Sequence, residues 1–137
     1  MGQGRMERLG RPVWYGLFLL HAGLGVWAVL GLIEFLTPAP VGFGLANRHF
    51  PDWMQLLHWL AIGAGASAFM LTWRRFPQAR LAAMAAAYGV MAVVCLIQTL
   101  LFLQHPGKWR DMGLEYAAYL AILWLLAHLP PAPGSRV

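Results

Sequence analysis

The stretch from Val13 to Leu36, VWYGLFLLHAGLGVWAVLGLIEFL, sets the terms for everything else in this chain. It carries two strongly polar side chains, His21 and Glu34, in a run long enough to cross about 30 Å of hydrocarbon at about 1.5 Å per helical residue. Only a helix satisfies its own backbone over such a length without water, so the segment reads as a membrane-spanning helix.

Composition then excludes the soluble classes. Hydrophobic residues make up 60% of the chain and charged residues 11%, against roughly a quarter charged in an ordinary soluble domain. The 137 residues suffice for one small helical bundle and leave no room for a second domain. A net charge of +5 would suggest nucleic acid in a soluble protein. Here the charges sit in short segments between apolar runs, where they orient helices and meet anionic headgroups, so no nucleic-acid partner is expected. Cys95, the single cysteine, lies inside an apolar run and reads as a small packing residue.

In chain order, MGQGRMERLGRP is basic and ends on Pro12, which suits the first turn of a helix. The apolar run behind it exceeds the roughly 7 to 15 residues of a removable signal segment, so it is expected to remain as an anchor. Spans are predicted at about 13–36, 54–73, 80–103 and 112–129, the last near the lower limit for crossing. Pro- and Gly-rich connections separate them, and residues 130–137, PPAPGSRV, read as a flexible tail. The predicted fold is an all-α integral membrane protein, an antiparallel four-transmembrane-helix bundle.

Seven cationic residues (Arg5, Arg8, Arg11, Arg74, Arg75, Arg80, Arg136) fall at one level and three (Arg48, Lys108, Arg110) at the other. The positive-inside rule then places both termini in the cytoplasm, with Trp14 and Trp73 at the inner level and Trp53, Trp59 and Trp109 at the outer one. Small residues at four-residue spacing supply close helix contacts: Ala61, Gly65 and Gly63, Ser67 in span two, Ala82, Ala86 and Ala85, Gly89 in span three, and Gly23 and Gly31 in span one.

Ionisable groups inside a membrane are costly and tend to face a bundle interior or wet cavity. Glu34, His58, Gln98, His105 and Glu115 all fall toward the outer level. Met84, Ala87, Met91, Val94, Gln98, Leu101 and His105 step by three and four and share one face; His58, Ala61, Gly65, Ala68 and Thr72 share another, and Glu115 with Tyr119 forms an i, i+4 pair. The expectation is an outer polar pocket lined by Glu34, His58, Gln98, His105, Glu115 and Tyr119.

Three readings of these groups compete. Each can lie separately at headgroup depth. Together they can hold a quinol, an imidazole bonding a quinone oxygen while Glu34 or Glu115 takes protons. His58 and His105 can also serve as axial ligands to a haem b, which chance placement of two histidines makes the weaker reading. A closed zinc site is disfavoured, because the spacing matches no compact ligand motif and Cys95 lies too deep to join. His21 stands apart in the inner half, placed to bond a backbone carbonyl or a hydroxyl across the bundle, or to relay protons. His128 reads as interfacial. No phosphate loop, nucleophile elbow, paired-cysteine motif or HExxH is present, so no self-contained enzyme is indicated.

The layout of a long first span, an outer loop ending in proline, a short basic joint and two further spans resembles the DoxX-like family of small four-helix bacterial membrane proteins. YGLFLLHAGLGVW, Tyr15 to Trp27, is similar to that family's opening pattern. The resemblance implies a bacterial inner-membrane location and association with membrane redox chemistry, as partner of a thiosulfate, quinol or metal-handling system. It carries over no catalytic residue. The function expected is a small integral subunit or accessory protein of a membrane redox complex, contacting quinol at the outer pocket and surrounded by lipid and other membrane subunits. The alternatives are a purely structural subunit of a larger membrane assembly and a small transporter or metal-handling protein.

Overall fold

The computed structural model describes residues 2–37, 45 and 49–135, the side chains of residues 2, 3, 6 and 7 excepted. Arg48 and Arg136, used in the charge count, lie outside the described residues. Four helices and no strand are found among those described: α1 (Gly2–Leu36), α2 (Asp52–Thr72), α3 (Pro77–Leu101) and α4 (Lys108–His128).

Local chemistry accounts for the boundaries. Pro51 immediately precedes α2, with Asp52 in its first turn, where a carboxylate complements the helix dipole. Pro77 opens α3, and α4 begins after Gly107. The main difference from expectation is at the start of α1. Helix continues upstream to Gly2, so Pro12 sits inside a 35-residue helix and not in its first turn. Pro12 there removes one backbone hydrogen bond and crowds the carbonyl of Arg8, at a cost of about 3 kcal/mol.

Three helices are long and apolar enough to cross a membrane: α1 over Arg8–Leu36, α2 and α3. With 21 residues α4 has the length but is not among them. Lys108, Arg110, Asp111, Glu115 and His128 dilute its apolar character.

Consecutive helices pack on one another, α1 on α2, α2 on α3 and α3 on α4, whereas α1 and α4 share no close packing. Small residues decide the first interface. A Cβ on Gly31 would fall 2.4 Å from the Trp59 ring, one on Gly25 3.4 Å from the Ala66 Cβ, and one on Gly63 3.7 Å from the Ala28 Cβ. Partner numbers fall as α1 numbers rise, so the helices are antiparallel. Gly65 admits the Met91 sulfur between α2 and α3, where a Cβ would lie 2.7 Å from it. Gly23 and Gly89, by contrast, have no atom within 4 Å of such a Cβ and contribute no close packing. Tyr116 crosses from α4 to donate to the Ala92 carbonyl at 2.6 Å.

Both termini therefore lie at one end of the bundle, here the terminal end, with the α1–α2 and α3–α4 connections at the distal end. The terminal half is densely filled. Trp14, His21, Phe69 and Met84 are each 0% exposed. Trp14 Nε1 donates to the Pro130 carbonyl at 2.9 Å, and Ala132 is buried, so the proline-rich tail lies folded back on α1 as far as it is described. Arg80, counted among the headgroup-facing cations, is in fact buried. Its guanidinium lies 4.4 Å over the Trp14 ring and donates to the Trp73 carbonyl at 3.3 Å. Trp14 and Trp73 are likewise interior side chains and not a surface belt.

Candidate functional site

Four of the six residues singled out from sequence meet in one place. A central cavity of about 130 Å³ is lined from all four helices: Leu24 and Trp27 of α1, His58, Ala61 and Ile62 of α2, Met91, Val94, Cys95 and Gln98 of α3, and Glu115 and Tyr119 of α4. The i, i+3/i+4 spacing that aligned Met91, Val94 and Gln98 on paper aligns them here, all buried on the inward face of α3.

His58 and Gln98 form the polar crosspiece. Gln98 Nε2 donates to His58 Nδ1 at 2.8 Å, so Nδ1 is the acceptor and the ring proton sits on Nε2. The imidazole is held among aromatics, edge-on to Trp27 with centroids 6.2 Å apart and to Trp59 at 4.7 Å. Glu115 lies close enough to His58 to interact by charge, and its carboxylate also interacts with the Cys95 thiol and the Tyr119 hydroxyl. A carboxylate, an imidazole, an amide, a phenol and a thiol thus face one small volume.

Beyond the His58–Gln98 pair, toward the distal end, lies a second cavity of about 260 Å³, lined by Trp27, Leu45, Phe50, Gln55, His58, Trp59, Gln98 and Leu103. His58, Gln98 and Trp27 belong to both cavities. Toward the terminal end, Tyr119 stacks on Tyr88 with centroids 4.9 Å apart and planes 13° from parallel. Tyr88 donates to His21 Nε2 at 2.5 Å while His21 Nδ1 donates to the Leu17 carbonyl at 2.7 Å. His21 therefore bonds both kinds of partner considered for it, a backbone carbonyl and a hydroxyl across the bundle.

The two remaining residues go elsewhere. Glu34 accepts from the Leu45 backbone N–H at 2.8 Å, tying the last turn of α1 to the connection after it, and lines neither cavity. His105 falls past the end of α3, because the chain leaves the helix at Leu101 and the face drawn through His105 stops there. It is exposed in the α3–α4 turn with Nε2 3.9 Å from Asp111, at the weak end of surface ion pairing. The paired imidazoles considered for a haem are accordingly not brought together, since His105 lines neither cavity that His58 lines.

Other residues were missed. Cys95 appeared too deep to join the polar groups, yet it lines the cavity beside Glu115. Its position three residues before Gln98 was the available signal. Trp27 was passed over as one more apolar residue of span one, and Tyr88 gave no signal beyond lying four residues from Met84 on the buried face of α3. Among the described residues no group of three or more His, Cys, Asp or Glu is arranged to hold a metal ion. No family model, no curated protein and no solved structure matches this chain.

Proposed function

We propose that the chain is a small multi-pass subunit of a bacterial inner-membrane redox complex that contacts a quinol at the central cavity. Both termini then face the cytoplasm and α4 completes the set of spans. The observation that carries this reading is the convergence of His58, Gln98, Glu115 and Tyr119 on one cavity. The backbones of α1 and α4 make no close approach, and in this reading a ligand dissolved in the bilayer enters between them.

In this reading the quinol ring edge enters between Trp27 and Tyr119, one oxygen bonds the His58–Gln98 pair, and Glu115 accepts a hydroxyl proton as general base. Oxidation of one quinol releases two protons and two electrons. The electrons pass to a redox centre of a neighbouring subunit, so this chain takes part in the reaction without being an enzyme by itself. The same role is what the resemblance to DoxX-like proteins implies.

The test is direct binding. A short-chain quinol analogue added to the protein in nanodiscs is expected to quench Trp27 fluorescence saturably. Trp27→Phe should remove most of that quenching, and Gln98→Leu should weaken binding about tenfold, the equivalent of one hydrogen bond to a charged or strongly polar group. Quenching that does not saturate, or that is indifferent to Gln98→Leu, would overturn the reading.

A second reading, a structural subunit, is favoured by one observation. A long apolar groove of about 840 Å³ runs between α1 and α2 on the face away from the central cavity, edged by exposed Val26, Val29, Leu60 and Leu71. Assembly lost on filling that groove, with quinol binding intact, would separate the two roles.

A further inference from the structure

We propose that the central cavity exchanges water and protons with one side of the membrane only, the distal side, and that the His58–Gln98 pair is the connection. The inference rests on the reading of that cavity as a proton-handling site and adds the side to which its protons go.

The first observation is that the two cavities meet at the same pair. His58 and Gln98 line both the central cavity and the larger one beyond it, whose other walls, Leu45, Phe50, Gln55 and Leu103, come from the distal ends of the helices and their connections. His58, Gln98 and Trp27 are the side chains that the two volumes share. An imidazole in that position carries a proton across without itself being displaced. A proton on Glu115 transfers to Nδ1 of His58 when the Gln98 amide N–H lets go of it, and Nε2 gives its proton to water in the distal cavity. The ring returns to its starting tautomer by proton exchange with that water as the Gln98 bond re-forms. No electron moves and no covalent bond other than those to hydrogen is made or broken.

The second observation is the opposite condition of the terminal side. Polar groups do continue from Glu115 through Tyr119 and Tyr88 to His21, but the line stops. Nδ1 of His21 is committed to the carbonyl of Leu17 in its own helix. The ring is stacked on Phe69 with centroids 4.1 Å apart, and Trp14, Phe69 and Met84 fill the interior beyond it with no exposed surface. Water needs polar partners and room. His21 borders the α1–α2 groove, which is apolar but for Ser67, yet has no exposed surface, and the terminal-end cavity lined by Gly10, Arg11, Trp14 and Pro130 does not reach it. The tyrosine–histidine series is thus a closed spur that fixes three helices together, and the wet side is distal.

Cys95, the single cysteine, lines the central cavity and supplies the probe. Intact protein is reconstituted in liposomes, its orientation is measured, and Ag⁺, a thiol-reactive cation small enough to follow water, is applied to one face in chloride-free buffer. The fraction of Cys95 then protected from maleimide in detergent is read by intact mass. Protection is expected at least tenfold faster from the distal face than from the terminal face. Gln55→Trp, which fills the distal cavity without touching the central one, is expected to slow distal protection about tenfold while leaving the melting temperature within a few degrees. Equal rates from both faces, faster protection from the terminal face, or no protection from either would each overturn the proposal. No quinol enters this experiment, so a failure of quinol to quench Trp27 with distal protection intact removes the ligand and leaves the route.

Discussion

The two halves of this bundle are built from the same kinds of residue and end up in opposite physical states. In the terminal half, large rings fill the space between helices. Trp14, Phe69 and Trp73 pile onto one another, with Trp14 and Phe69 centroids 6.5 Å apart and Phe69 and Trp73 6.2 Å apart, and the buried imidazole there, His21, is bonded at both nitrogens. In the distal half, small residues on the same helices bring the backbones of α1 and α2 together, and side chains of all four helices line the central cavity. His21 and His58 make the lesson concrete: His21 is wholly buried and bonded at both nitrogens, whereas His58 is half-buried between two cavities and held by Gln98 at Nδ1. Depth along the bundle does not by itself separate a structural from a chemical imidazole. What surrounds the second nitrogen does.

The largest effect should come from breaking the dense half. Phe69→Ala removes a fully buried ring that touches Trp14, His21 and Trp73. In a soluble core such a change costs about 3–5 kcal/mol, part of it lost transfer from water. In the proposed membrane setting lipid is as apolar as the protein interior, so the transfer part shrinks and the loss of contact remains, on the order of 2–3 kcal/mol. Reversible unfolding in mixed micelles measures it, and a loss below about 1 kcal/mol would mean that the terminal half is not the rigid one.

Glycine substitutions probe the interface beside the distal half. Gly31→Ala puts a methyl group 2.4 Å from the Trp59 ring, which is pinned by Trp27 at 5.5 Å and cannot swing aside as a flexible chain end would. The expected cost is that of overpacking, about 1–3 kcal/mol. Gly23→Ala and Gly89→Ala meet nothing within 4 Å, so they serve as matched controls with no measurable loss. Thermal unfolding of the three variants in one lipid mixture makes the comparison.

How much of this was legible beforehand follows the same physics. Apolar run length gave the helices, because a bilayer-length hydrophobic stretch has one stable backbone conformation; α2 and α3 begin and end within a few residues of the predicted spans. Periodicity gave the inward faces of α2 and α3, and with them His58 and Gln98, because side chains three and four apart must share a side of the helix. It failed at His105, where the period was extended past the point at which the helix stops. Facing relations between helices were not legible: that Cys95 meets Glu115, that Glu34 turns back to Leu45, and that Tyr88 reaches His21 all depend on rotation and register, which sequence spacing within one helix leaves open. Nor did the sequence say that Gly31 would be an interface glycine and Gly23 an exposed one, although both sit in the same apolar run.

The smallest effects are the most telling about water. Tyr88→Phe and Gln98→Leu each delete one hydrogen bond to a histidine, the first to His21 and the second to His58. Deleting a single interhelical bond in a membrane protein costs about 0.6 kcal/mol on average, so by bond count the two variants should match. They differ in what happens to the abandoned nitrogen. His21 has no exposed surface and is packed against Phe69, so its Nε2 would stay unsatisfied in a dry site, adding desolvation of about 1–3 kcal/mol. His58 borders two cavities from which water can replace the lost amide, and its loss should remain near the average. Tyr88→Phe is therefore expected to destabilise more than Gln98→Leu, by about 1 kcal/mol or more in the same unfolding assay. Equal losses would make the distal half as dry as the terminal one, and His58 as structural as His21.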